Sequence, residues 1–456
     1  MSPGPRAGLV TAALVLLSLP ACASHSERML PVRTALDEGA PHEAVRLLDE
    51  EMKVATPKDL PQDMGSDNAL FVLDRGSIHQ SLADFDASKR DLEAADKAID
   101  MLDLAHGAKD SIGEYVFSGS SGKYQAPPYE KLLLNTLDML NYLELGDLSN
   151  ARVEARRLAV MQKYVADDLG ESDDAVLGLG GFLAGLTFEE SDQVDEALRW
   201  YDQALAFPGF GSLSDPARQL MARTAFRTPR LKDLAASAPV PAAPAPAAGG
   251  GDGQGDLVIV VGYGRVPHKV AERVPIGLAL TWFSGALAPN DVAAANRIAA
   301  QGLVTWINYP TLGHEQGGYA LPAVKVDGQY VQLEEAVNVT HEVRAEWKKI
   351  EGKVIVSAIT RLVSRYLAGT LVGAAAGRDN GLVGLLLSLG TQATLTALDT
   401  PDTRSWETLP ARVAVARVRV APGKHTVHLE ARGVRRDVPV DVEKGGYRTV
   451  SLMALR

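Results

Sequence analysis

Cysteine is nearly absent from this chain of 456 residues, which holds a single one, at position 22. That excludes a disulfide framework and any zinc site built on thiolates. Positive charge is in deficit: 46 Lys and Arg stand against 57 Asp and Glu, a net charge of −11. Nucleic acid is therefore an unlikely partner, because phosphate binding needs a cationic face. No run of apolar residues reaches the roughly 20 needed to cross a bilayer as a helix. Nucleophile elbows, phosphate loops and calcium loops are missing too. The nine histidines assemble nothing: His341-Glu342 lacks the second His of a zinc helix, and His425 and His428 fall on opposite faces of an expected strand. The reading is of a binding or scaffold protein rather than an enzyme, with no cofactor.

What is present is ordinary globular material, 46% hydrophobic and 23% charged, enough for two to four domains with real cores. Its charge is uneven. Residues 23–235 carry 22 basic against 38 acidic side chains, and residues 236–456 carry 23 against 19. Residues 235–255, rich in Pro, Ala and Gly, cannot form a core and act as a spacer between the two halves. Each half has its own apolar pattern, which predicts that 256–456 folds without 27–235.

The N-terminus has one basic residue, Arg6, then an uncharged run from Ala7 to Leu19 that is too short to span a membrane but suits a signal peptide. It ends in Leu19-Pro20-Ala21-Cys22, which resembles the lipobox of bacterial lipoproteins. That resemblance implies cleavage after residue 21 and acylation of Cys22, with palmitate among the chains. Each buried acyl CH₂ contributes about 0.8 kcal/mol, so several chains hold a protein to a membrane. Ala23 after the cysteine implies the outer membrane. Residues 22–29 then read as a tether.

From 30 to 234 apolar residues recur at helical spacing. Gly185, Phe188, Ala197, Tyr201, Ala204 and Pro208 resemble the small-residue pattern of tetratricopeptide repeats, in which paired antiparallel helices stack. Weaker units contain Tyr142, Gly146, Leu148 and Ala151; Gly76, Phe85, Leu92 and Ala95; and Gly39, Ala44 and Leu48. The equivalent positions Ala44, Ser88, Ala151 and Ala197 are unevenly spaced, so the units are divergent hairpins with inserts. The insert from Val116 to Glu130 contains Gly119, Gly122, Pro127 and Pro128 and reads as a loop. Within it Tyr124, Tyr129 and Glu130 are candidate binding residues, the tyrosines able to stack on a sugar or peptide or to pack between hairpins.

After the linker, Asp256 to Gly262 reads as a buried strand. Gly262-Tyr263-Gly264 lacks the third glycine of a dinucleotide loop. Residues 322–333 predict a hairpin about Asp327-Gly328, and period-two patterns from 413 to 452 predict a small antiparallel sheet or sandwich. Between them Ile359, Leu362, Val363, Tyr366 and Thr370 mark an amphipathic helix. The Gly-rich stretch 366–398 carries Arg378 and Asp379, which favours helices on the sheet over membrane insertion.

The fold class expected is α+β multidomain: an N-terminal α-helical hairpin (tetratricopeptide-like) domain over 30–234, the linker 235–255, and a mixed α/β domain over 256–456 ending in an antiparallel sheet. Tyr129-Glu130, Leu145-Gly146-Asp147-Leu148, Ala151 to Arg157, Gly264 to Lys269, and Asp402-Thr403-Arg404-Ser405-Trp406 followed by Leu409-Pro410 resemble a family of uncharacterised bacterial outer-membrane lipoproteins with repeat-like helical N-terminal regions. The resemblance implies a periplasm-facing, lipid-anchored scaffold in envelope or peptidoglycan maintenance, binding another envelope protein through the helical domain. Arg404 and Trp406 are candidate contacts, or else a corner in which Trp406 is buried and Arg404 caps. The alternatives are a glycan-binding or hydrolytic cell-wall enzyme and a structural component of an envelope apparatus.

Overall fold

The computed structural model describes residues 23–65, 67–99, 124, 126–168, 176–237, 253–287, 289–300, 306–314, 319–375 and 400–456. The stretch read as a signal peptide, Cys22, most of the linker, the start of the 116–130 insert and the Gly-rich stretch from 376 onward lie outside them. Within the described residues the chain is α+β, with thirteen α-helices and ten strands.

Ten helices come first: α1 (His25–Asp37), α2 (Pro41–Met52), α3 (Asn68–Ser81), α4 (Phe85–Ile99), α5 (Pro128–Glu144), α6 (Leu148–Asp168), α7 (Val176–Glu190), α8 (Val194–Ala204), α9 (Ser214–Met221) and α10 (Pro229–Ser237). Ser24 caps α1 through a capping box with Glu27, so that helix occupies most of the stretch read as a tether. The first eight helices form four hairpins with one repeated turn. Each turn has a residue with left-handed backbone: Gly39 (φ 76°), Ala83 (58°), Gly146 (71°) and Asp192 (57°). The next amide reaches back five residues, from Ala40 to Ala35, Asp84 to His79, Asp147 to Tyr142 and Gln193 to Phe188, at 2.8–3.0 Å. This bond satisfies a carbonyl that the helix end would otherwise leave open. Five residues after each left-handed position stand Ala44, Ser88, Ala151 and Ala197, all fully buried. The small residues seen in the sequence thus sit at one structural position where paired helices approach. Gly185 serves the same approach, since a Cβ there would lie 2.3 Å from the Tyr201 ring.

The second half contains β1 (Gly255–Tyr263), β2 (Lys269–Pro275), α11 (Ile276–Phe283), α12 (Pro289–Ala300), β3 (Trp306–Leu312), β4 (Ala323–Val326), β5 (Gln329–Val331), β6 (Glu334–Asn338), α13 (Val339–Ala375), β7 (Arg412–Val420), β8 (Gly423–Ala431), β9 (Val434–Val442) and β10 (Tyr447–Ala454). The strands form sheets ordered β10-β1-β7-β6 and β5-β4-β8-β9, with β2-β3 as a separate pair. The turn after β7 carries the chain from one sheet to the other, so β7 and β8 do not pair as a hairpin. The closing strand β10 lies parallel to β1, making the first sheet mixed, where antiparallel pairing was expected. The Asp327-Gly328 turn is confirmed, with both residues at positive φ and Val326 opposite Gln329.

The first sheet is the middle of three layers. Leu257, Ile259 and Val261 of β1 join Ala414 and Ala416 of β7 and Val427 and Leu429 of β8 in a core between the two sheets. The alternate residues Val258, Val260, Val413, Val415 and Met453 turn the other way and join the helices in the largest core of the molecule. Burial on both faces explains why β1 reads as continuous branched residues without alternation. The same core runs without a break from Met29 to Leu455. The halves separated by the linker therefore share packing, where the sequence suggested separate cores. A third cluster joins Val274, Leu280 and Ile307 to Ile359, Leu362 and Val363 of α13, three of the five residues expected on its apolar face; the side chains of Tyr366 and Thr370 lie outside those described.

Candidate binding groove

The first helix of each hairpin turns polar side chains toward the second half. Residues 403–410, just before β7, run buried against them. The Ser26 amide donates to Thr403 Oγ1 at 3.1 Å, and Arg33 pairs with Glu407. From α3, Asp74 Oδ1 accepts the Thr408 amide at 3.0 Å and its hydroxyl at 2.9 Å, and Ser77 Oγ accepts the Trp406 indole N–H at 2.9 Å. From α5, Glu130 Oε1 accepts the Trp406 amide at 3.1 Å. The inner face of the hairpin stack therefore holds an extended segment of its own chain.

This arrangement brings all five candidate residues together and places them inside. Tyr124, Tyr129, Glu130, Arg404 and Trp406 are each at most 7% exposed. Glu130 accepts from the Tyr124 hydroxyl at 2.5 Å, the Tyr129 hydroxyl at 3.2 Å and Trp406. Arg404 grips Asp402 with two nitrogens at 2.8 and 2.6 Å and lies 6.0 Å from the Tyr124 ring centre. Lys269 Nζ donates to the Arg404 carbonyl at 3.0 Å. The corner reading of Arg404 and Trp406 fits this geometry; a contact exposed to solvent does not. Tyr129 and Glu130 also leave the loop assigned to them, because Pro128 opens α5 and they form its first turn. Proline is favoured there since the first helical amides need no intrahelical acceptor.

Burial dominates the electrostatics of the groove. It pushes Asp74 up to about 8, helped by the neighbouring charge of Glu130 and opposed by the Thr408 hydrogen bonds. Glu130 and Glu407 are also raised, chiefly by burial, with Arg33 pulling Glu407 back. Burial lowers His25, which stacks on Phe71 and lies 3.6 Å from Asp67 and 4.0 Å from Asp74. Asp74 Oδ2 has no hydrogen-bond partner, in keeping with a carboxyl held neutral; Glu407 Oε1 has none either, while its other oxygen pairs with Arg33.

A second buried network closes the far end. Arg417 of β7 donates to both oxygens of Glu189 at 2.7 and 3.0 Å, to the Tyr201 hydroxyl at 2.9 Å and to Asp256. Burial, the largest influence, raises Glu189, but Arg417 and the Tyr201 hydrogen bond outweigh it and leave the carboxyl below its ordinary value. Sequence reasoning passed over Arg33, Asp74, Ser77, Glu189, Glu407, Thr408 and Arg417. A signal existed for Asp74, which interrupts the apolar run Ala69-Leu70-Phe71-Val72-Leu73 within a helix. For the others the partners lie hundreds of residues away.

Among the described residues, no group of three or more His, Cys, Asp or Glu is placed to hold a metal ion, and no helix is long and apolar enough to cross a membrane. Comparison of the chain with protein-family models, curated proteins and solved structures finds no match.

Proposed function

We propose that the protein is a lipid-anchored scaffold of a bacterial cell envelope, held by acylated Cys22 at the periplasmic face of the outer membrane and binding another envelope protein through its helical half. The observation that carries this reading is the in-register stack of four helical hairpins following a lipobox-like leader, since stacked hairpins offer an extended surface for a partner. Residues 403–410 already fill the inner face, so in this reading a partner uses the outer helices α2, α4, α6 and α8 or displaces that segment. The acidic balance of the helical half favours a basic partner and a salt-sensitive complex.

The test is crosslinking and pull-down of the full chain from solubilised envelopes at low and high salt. A stoichiometric envelope protein lost at high salt is the expected result. Turnover of purified muropeptides without such a partner would replace the scaffold with the cell-wall enzyme. Anchoring is tested separately: Cys22→Ser should abolish palmitate labelling, and unchanged labelling would refute acylation there.

A further inference from the structure

Outside the groove, the third and fourth hairpins enclose a cleft of about 480 Å³ between α6 and α8, a volume within the range of ligand sites. Arg156 and Gln162 of α6 line it from one side, and Gln193, Arg199, Trp200 and Gln203 from the other. The hydrogen-bonding groups here are largely unspent. Among the described residues the side chains of Arg156, Gln193 and Gln203 make no hydrogen bond or ion pair. The Gln162 amide nitrogen lacks a partner but is shielded from solvent even with the cleft empty, so it is closed to a ligand there. Arg199 lies 3.6 Å from Glu196 and its guanidinium sits 5.0 Å from the centre of the Phe226 ring.

Charge points to the ligand's sign. In a strongly acidic half, this cleft has two guanidinium groups against the single carboxylate of Glu196. A guanidinium binds a carboxylate through paired, charge-assisted hydrogen bonds. The primary amides of Gln193 and Gln203, each donating and accepting, match hydroxyl and acetamido groups. Phe188 and Trp200 add apolar surface to the lining.

We propose that the α6–α8 cleft binds a carboxylated saccharide, Arg156 taking the carboxylate and Gln193 and Gln203 the sugar's polar groups. The choice of a cell-wall sugar as first probe rests on the envelope reading; the cleft chemistry does not. The test is calorimetric titration of the full chain in detergent with four probes: N-acetylglucosaminyl-N-acetylmuramic acid, its methyl ester, a glucuronic-acid disaccharide and an acidic hexapeptide. The expected result is binding of the muramic disaccharide, weakened about tenfold or more by esterification and by Arg156→Gln, with Gln203→Ala also weaker. Arg156 is exposed, so its replacement leaves the fold in place, as an unchanged melt would verify. Equal binding of the glucuronic disaccharide upholds the acidic-sugar site while removing its preference for the wall. Silence from both acids, equal binding of acid and ester, binding of the hexapeptide alone, or unchanged binding by Arg156→Gln would each overturn the proposal. None of these outcomes bears on acylation of Cys22, which the labelling experiment judges by itself.

Discussion

Asp74 gives the sharpest test of how the groove is held. Its carboxyl is fully buried, bonded through one oxygen to Thr408, and has a pKa of about 8 against an ordinary 3.8. A group whose folded-state pKa is raised binds its proton more tightly in the folded chain than in the unfolded one. Its contribution is therefore intact below pH about 4 and is lost as pH climbs toward 8, at about 1.4 kcal/mol per pH unit. At pH 7 the cost of keeping this group neutral comes to roughly 4 kcal/mol. Asp74→Asn keeps an oxygen for Thr408 and removes the ionisation. The variant should be more stable than the parent by about 2–4 kcal/mol at pH 7.5, and equal to it or slightly weaker at pH 4.5. Guanidinium unfolding of the full chain at both pH values measures the difference. A parent–variant difference that is the same at both pH values, or a variant less stable at pH 7.5, would refute the account of a neutral carboxyl in the groove.

Three further outcomes follow from the shared core. Trp406→Ala empties a large, fully buried site and leaves the Ser77 hydroxyl without its donor; a loss of about 3–5 kcal/mol in denaturant unfolding is expected. Arg417→Ala strands Glu189 and Asp256 in the interior and should also cost about 3–5 kcal/mol, while Arg46→Ala, in an exposed pair on α2, should change the same measurement by less than about 0.5. Cutting an engineered protease site at residues 240–250 of the full chain should leave the two pieces eluting together on gel filtration with one cooperative melt; separation into independently melting pieces would contradict the common core.

Local signals were legible in the amino-acid order, and distant ones were not. Gly39, Gly146 and the small residues at 44, 88, 151 and 197 announced the hairpins because turn and close approach are settled within a dozen residues. The same holds for Asp327-Gly328, whose positive φ values are ones that few other residue pairs tolerate. By contrast, Asp402 to Thr408 is polar, and although a corner with Trp406 buried is among its readings, nothing nearby reveals that its partners are Ser26, Arg33, Asp74, Ser77 and Glu130. Trp406 finds its indole acceptor 329 residues away. The parallel pairing of β10 with β1 is equally silent, because period-two spacing gives a strand's faces but not its neighbour. Pro127 and Pro128 misled in the other direction: the residues that break a helix inside it also begin one.

The segment in the groove also imposes an order of events on the chain. Ribosomes deliver the helical half first, complete in its own residues, yet Thr408, Trp406 and the partners of β1 arrive only with the last eighth of the polypeptide. Arg456 itself donates to the Asp37 carbonyl at 3.0 Å, across 419 positions. Until that end appears, the inner faces of α1, α3 and α5 present apolar and charged side chains with nothing against them. Contacts of such long range close slowly, and exposed apolar surface in the interval invites aggregation. A chain truncated by even its final strand would keep every helix in its sequence and still lose Met453 and Leu455 from its largest core.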